Sequence, residues 1–327
     1  MHRIVMSLVA AVAVISTTGV ARADLAKEAA LCRDEATHPD VRIGACTYLI
    51  RWGDHSEKTL SAAFHARGRA YSALDDNVNA ISDLSEAIRL NPVDPAPYDN
   101  RANIYMERRE YDMALADFAE ALRLDSQNGS TFNNRGTVYL KLADYHRALA
   151  HYDEAIRLDP DLMLAYNNRC VAWRYLGELV RSAADCTRAL ELAPSYWRAW
   201  MNRGITFYLA EKYAVAADDY QAAIRLNPQS AAPYNALAWL RATAPEGSVR
   251  DGAEATRLAE RAVEMGDTPQ HRDTLAAAYA EAGLYSRAVE EEERAIHLLR
   301  ESGGGGDVTR FHKRLQLYRE GRPYRQR

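Results

Sequence analysis

Four cysteines and a set of evenly spaced asparagines are the residues of this chain whose types and spacing point to chemistry. Cys32 and Cys46 lie 14 residues apart, and Cys170 and Cys186 lie 16 apart. If each pair faces across a helical hairpin, two disulfides are expected. Four small buried thiols packed as hydrophobes are the other reading, and sequence leaves both open. No histidine lies at ligand spacing near either pair, so no metal site is expected. Asn100, Asn134, Asn168 and Asn202 recur every 34 residues, with Asn133 and Asn167 directly before two of them.

Motifs for catalysis are missing. The sequence holds no His-Glu-x-x-His, Cys-x-x-Cys, Gly-x-Ser-x-Gly or Gly-x-Gly-x-x-Gly. His146 and His151 have no third ligand and read as exposed polar residues, and Glu290–Glu293 reads as a solvated helix face. Gly303–Gly306 is not followed by Gly-Lys-Ser/Thr, so it reads as a linker. Asn128-Gly129-Ser130 matches a glycosylation sequon, a short and unspecific pattern. No catalytic residue and no cofactor are expected.

The elements that carry these residues repeat. Pro92, Pro160, Pro194 and Pro228 fall on a 34-residue grid, with Ser126 at the point that lacks proline. The same grid aligns Gly68, Ala102, Gly136, Cys170 and Gly204. It also aligns Tyr71, Tyr105, Tyr139, Trp173 and Phe207, and Ala87, Ala121, Ala155, Ala189 and Ala223. Registers in phase over five copies define a repeat array. Within a copy the apolar spacing is helical, and a polar break such as Asp75-Asp76-Asn77 separates two helices. Small residues at the Gly68-type position let the two helices approach closely. Proline ends each hairpin because it cannot continue a helix.

These residues resemble the tetratricopeptide repeat (TPR) family, whose pattern reads here as Phe132-x2-Arg135-Gly136-x2-Tyr139…Ala148-x3-Tyr152…Pro160. The resemblance implies an all-α fold, a right-handed superhelical TPR solenoid of antiparallel hairpins. Its copies span 61–94, 95–128, 129–162, 163–196 and 197–230, then 231–268 with a loop insertion at Thr243–Ser248, and 269–302. Residues 24–60 read as a degenerate hairpin, with helices Ala26–Ala36 and Val41–Arg51. Residues 303–327 read as a glycine linker, a capping helix near 307–320 and a frayed basic tail. The departure from the family is arginine at the Leu position (Arg67, Arg101, Arg135, Arg169, Arg203), which must send its head to solvent or to a carboxylate.

The resemblance also implies that the asparagine column faces a groove lined by first helices. There the amides would pair with an extended peptide backbone, as in the asparagine ladder of the O-linked N-acetylglucosamine transferases. A role in helix-to-helix contacts is the alternative. Asn103, Arg174 and Tyr208 join the candidate partner-binding residues, with Met106, Thr137, Tyr175 and Trp239 beside them. A two-carboxylate clamp of the chaperone-binding type is not expected, because the positions it needs around Asn134 hold Asp99, Asn103, Leu164 and Asn168 and its basic residues are missing.

Residues 1–23 have the form of a secretory signal: His2-Arg3, the apolar run Ile4–Ile15, and Ala21-Arg22-Ala23 before Asp24. An uncleaved anchor is the rival reading. Cleavage leaves 39 basic against 45 acidic residues, a net charge of −6, which offers no general attraction for nucleic acid or anionic lipid. The expected protein is therefore exported, in all expectation periplasmic, without stable membrane insertion after signal cleavage. It would bind a partner protein or peptide in its groove. Self-association through the 243–252 loop and the 319–327 tail is a second expectation, and a regulatory subunit of an enzyme complex a third.

Overall fold

A computed structural model describes residues 24–53, 56–301 and 308–326. The expected signal and the Gly303–Gly306 linker lie outside the described residues. Every regular element among the described residues is an α-helix, and none is long and apolar enough to cross a membrane. The chain divides into two compact units, Met1–Pro160 and Asp161–Arg327.

The first unit contains α1 (residues 24–33), α2 (Pro39–Trp52), α3 (Glu57–Ala73), α4 (Asn77–Leu90), α5 (Pro95–Glu107), α6 (Tyr111–Leu124), α7 (Gly129–Lys141) and α8 (Tyr145–Leu158). The first helix ends earlier than Ala36, because the Asp34 carboxylate accepts from the Ala36 amide and the Thr37 hydroxyl and turns the chain. The second unit contains α9 (Met163–Tyr175), α10 (Leu179–Leu192), α11 (Trp197–Leu209), α12 (Tyr213–Leu226), α13 (Ala231–Thr243), α14 (Gly252–Met265), α15 (Pro269–Glu281), α16 (Tyr285–Glu301) and α17 (Thr309–Arg319).

One turn closes most hairpins. The first helix ends in a left-handed residue: Asp75, Arg109, Ala143, Gly177, Glu211 and Gly283 all have φ between 58° and 78°. The next amide then bonds back to the aromatic position of the first helix, as from Asp144 to the Tyr139 carbonyl at 2.9 Å. This geometry sets a residue of the first helix against the one 16 positions later. At Gly136 a β-carbon would lie 2.8 Å from Tyr152, and at Gly204 2.7 Å from Tyr220. Both tyrosines are buried, so neither ring has room to retreat.

Cysteine replaces this small–large pair once, in α9 and α10, and a second cysteine pair links α1 to α2 at a separation of 14. Cys170 and Cys186 form a disulfide with Cα atoms 5.4 Å apart, and Cys32 and Cys46 another at 4.9 Å. Each bridges the two helices of one hairpin, and of the two readings open in the sequence it is the disulfide that the structure holds.

The loop between α13 and α14 is pinned rather than projecting. Ala244 and Val249 are buried, the Arg250 guanidinium donates to the carbonyls of Ala244 and Pro245, and Arg241 donates to that of Val249. The expectation of a frayed tail is overturned. After α17 the chain turns at Gly321 and lies back on α13, where the Gln326 amide donates to the Thr243 carbonyl at 3.0 Å. Arginine-to-carboxylate pairing and aromatic contact hold a segment that composition alone marks as solvated.

The capping helix α17 is seated on a buried polar cluster. Arg314 donates through Nε and Nη2 to Asp273 of α15, at 2.6 and 2.9 Å. Glu292 of α16 is fully buried beside them, 3.8 Å from Arg314, and the Tyr318 hydroxyl is buried without a partner. One guanidinium faces two carboxyls. Burial, and then the Asp273 charge, hold the Glu292 carboxyl well above its ordinary range, which favours its neutral form.

Two predictions follow from these contacts. Ala143 is exposed and left-handed, so Ala143→Gly relieves backbone strain without removing packing. It should raise stability by about 1 kcal/mol, read as a higher urea midpoint at unchanged m-value. The raised Glu292 pKa makes the folded state bind a proton that the unfolded chain releases. Its contribution is therefore full below the unfolded value of 4.5 and is lost as pH rises through the folded value. Glu292→Gln should be more stable than the parent by a margin that grows between roughly pH 5 and 9; a margin independent of pH would contradict this assignment.

Candidate partner-binding surface

In the first unit α3 touches α5 and α5 touches α7; in the second α9 touches α11 and α13 touches α15. The second helices of successive hairpins make no comparable contact among the described residues. The first helices are thus the more closely spaced side, the inner face of each unit, and they carry the asparagines.

In the first unit Asn100 places Nδ2 2.6 Å from His65 Nε2, and burial holds His65 below its ordinary pKa, as a neutral acceptor. Asn103 turns inward, donating to the Asp99 carbonyl at 2.9 Å and its carboxylate at 3.2 Å. Asp99 in turn accepts from Thr131 at 2.7 Å. Buried Asn133 donates to Asn134 Oδ1 at 3.2 Å.

In the second unit the amides and Arg174 converge. Buried Asn167 donates to Asn168 Oδ1 at 3.3 Å and accepts from Asn202 Nδ2 at 3.0 Å. Arg174 Nη1 approaches the Asn202 carbonyl and side-chain oxygens at 3.3 and 3.4 Å. Burial pulls the Arg174 pKa down, and no carboxylate lies within ion-pair distance of it among the described residues. Tyr208 belongs to a different group: its hydroxyl accepts from Trp239 Nε1 at 3.1 Å, and its ring meets Tyr213 edge-on.

The arginines at the family's Leu position are structural. Arg67, Arg101, Arg169 and Arg203 each grip the buried aspartate 16 residues on (Asp83, Asp117, Asp185, Asp219) through two hydrogen bonds of 2.7–2.9 Å. Arg101 and Arg203 also donate to Ser85 and Thr187 of the preceding hairpin. Sequence reasoning missed these aspartates, although they stand on the same grid.

Arg135 is the exception. His151 occupies the aspartate position and Ala119 the hydroxyl position, and Arg135 Nε is buried without a hydrogen-bond partner. His151 is not the exposed residue expected: its ring stacks on Tyr139, centroids 5.2 Å apart and planes 2° apart. Burial, and then Arg135 and Arg147, push its pKa down to about 4.

Models of the tetratricopeptide repeat match residues 61–94, 95–128, 130–162 and 174–231. The chain is a tetratricopeptide repeat protein, and its fold is the all-α TPR solenoid. No curated protein matches the sequence at a significant level. Among solved structures it is similar to a tetratricopeptide repeat protein from Parabacteroides merdae, at 19% identity and TM-score 0.58 over 79% of this chain and 98% of that one. Pseudomonas aeruginosa pilF matches at 17% identity and TM-score 0.58, covering 66% and 96%. The Cut9–Hcn1 assembly of the APC/C matches at 16% identity and TM-score 0.63, covering 75% of this chain and 49% of that one. The chain thus spans about half the length of that last relative. At these identities the likenesses establish the fold alone.

His151→Asp should give Arg135 the bidentate partner that four other hairpins possess, raising stability at pH 7 by about 1 kcal/mol. A histidine with a depressed folded pKa contributes stability that is lost as pH falls from 6.5 toward 4. Thermal melts across that interval should therefore decline less steeply for the variant than for the parent. A parallel decline would remove His151 from the account.

Proposed function

We propose that this chain is an exported interaction scaffold that holds an extended segment of a partner protein against the inner faces of its repeats. The observation that carries the reading is the state of the asparagines. Asn100, Asn134, Asn168 and Asn202 are all partly exposed on first helices. The two in the first unit are positioned through one half of the amide: Asn100 uses Nδ2 on His65, and Asn134 uses Oδ1 on Asn133. The Asn100 oxygen and the Asn134 nitrogen keep hydrogen-bonding capacity for a ligand backbone, one accepting and one donating. Such contacts give affinity with little dependence on the ligand's side chains. Arg174, half-buried and without a carboxylate, adds a cationic anchor at the second unit's amide cluster.

Export is supported by the form of residues 1–23 and by two disulfides, which persist in oxidising compartments. The reading assigns no catalysis, because an open face of amides and aromatics does not enclose a reacting group. Membrane insertion and nucleic-acid binding are likewise outside it.

Affinity capture from an envelope extract tests the reading, with residues 24–327 compared with a variant carrying Asn100→Ala, Asn134→Ala, Asn168→Ala and Asn202→Ala. With both proteins matched in helical content and melting, a partner retained by the parent should be lost by the variant. Equal capture by the two would move the partner off the amide column.

A further inference from the structure

Residues 322–326 lie on the inner face of the second unit in the manner of a bound peptide. Beyond the turn at Gly321, the Tyr324 ring packs against Trp239 of α13 with centroids 5.8 Å apart. The Arg314 guanidinium covers both rings, at 5.5 and 5.4 Å. Arg325 pairs with Glu281 of α15 and reaches the Ala242 carbonyl. The Gln326 main chain donates to the Thr243 carbonyl, and its side-chain amide donates to the Thr243 hydroxyl at 2.6 Å. Tyr208 of α11 completes the floor, bonded to Trp239 and in reach of Gln326.

The strength of attachment differs along this stretch. Phe311 and Tyr318 of α17 are each 1% exposed, so the helix is part of the core. Residues 323–326 are only half-buried, and the Arg325 side chain is 34% exposed. One ring-to-ring contact, the Arg314 guanidinium of α17, one ion pair and a few hydrogen bonds hold this short extended segment. Were it to leave, Trp239, Thr243 and one face of Tyr208 would be uncovered. Glu281 remains charged-paired through Arg250, 3.1 Å away, so the surface stays formed.

We propose that Tyr208, Trp239, Thr243 and Glu281 form a second recognition surface, which takes an extended partner segment carrying an aromatic residue followed by arginine and a side-chain amide. Residues 322–326 occupy it in cis and compete with that partner. The aromatic stacks on Trp239, the guanidinium meets Glu281, and the ligand main chain pairs with Thr243. This surface does not depend on the asparagine column, and its ligand is selected by side chains rather than by backbone alone.

A fluorescent, end-capped peptide of residues 321–326 is the probe. A chain ending at Gly321, which retains α17, should bind it saturably. The full chain should bind it about tenfold more weakly, because the surface is already filled. The full chain carrying Tyr324→Ala with Arg325→Ala should behave like the shortened one, which separates release of the segment from loss of chain. Peptides with Tyr324→Ala or Arg325→Ala should each bind the shortened chain about tenfold more weakly than the parent peptide. The proposal is overturned if neither altered chain binds the probe while melting like the parent, or if the unaltered full chain binds it equally well. Binding that is indifferent to both peptide substitutions overturns it too. None of these outcomes bears on capture through the amide column.

Discussion

Every regular hairpin of this protein depends on one contact, that of a first-helix residue with the residue 16 positions later. A single left-handed residue ends the first helix, the next amide closes back on its last turn, and the second helix is launched in a direction that always produces this register. The register carries two kinds of partner side by side. One is a small residue receiving a large one, as Gly204 receives Tyr220 and Ala102 receives Phe118. The other is an arginine gripping a buried aspartate in two hydrogen bonds. The first sets how closely the helices approach. The second fixes their rotation, because a planar guanidinium meets a carboxylate squarely in few orientations.

The inner face inherits its order from that contact. The arginine following each column asparagine is turned into its own hairpin, so the asparagine beside it is left on the accessible side. Amides there position one another without exhausting their capacity, as Asn202 does with Asn167. Arg174 and Arg135 show what happens when a guanidinium lacks an acid. The former is turned to the amide cluster, while the latter lies against Tyr139 with a buried nitrogen unpaired.

Much of this was legible in the sequence, for a physical reason. The 34-residue rhythm writes helix packing into residue types, so the hairpins, the small–large positions and the facing of Cys170 and Cys186 follow from spacing. Even the acid partners of the arginines, Asp83, Asp117, Asp185 and Asp219, stand on that grid. What was not legible breaks the rhythm. His151 reads as a surface residue until the lost aspartate at its position is noticed. The buried cluster of Asp273, Glu292 and Arg314 joins three helices at separations that no repeat dictates. The docking of residues 322–326 reaches back 83 residues to Thr243, and a run of arginine, tyrosine and glutamine carries no periodicity to announce it.

The disulfides carry a consequence for how the chain matures. Four cysteines allow three pairings, of which one is native. Each native bridge joins neighbours in sequence, across 14 and 16 residues, and 124 residues separate Cys46 from Cys170. Every wrong pairing would have to close a loop of at least 124 residues, whereas the native bonds close loops of 14 and 16. Chain-closure entropy therefore favours the native pairing wherever the thiols are oxidised.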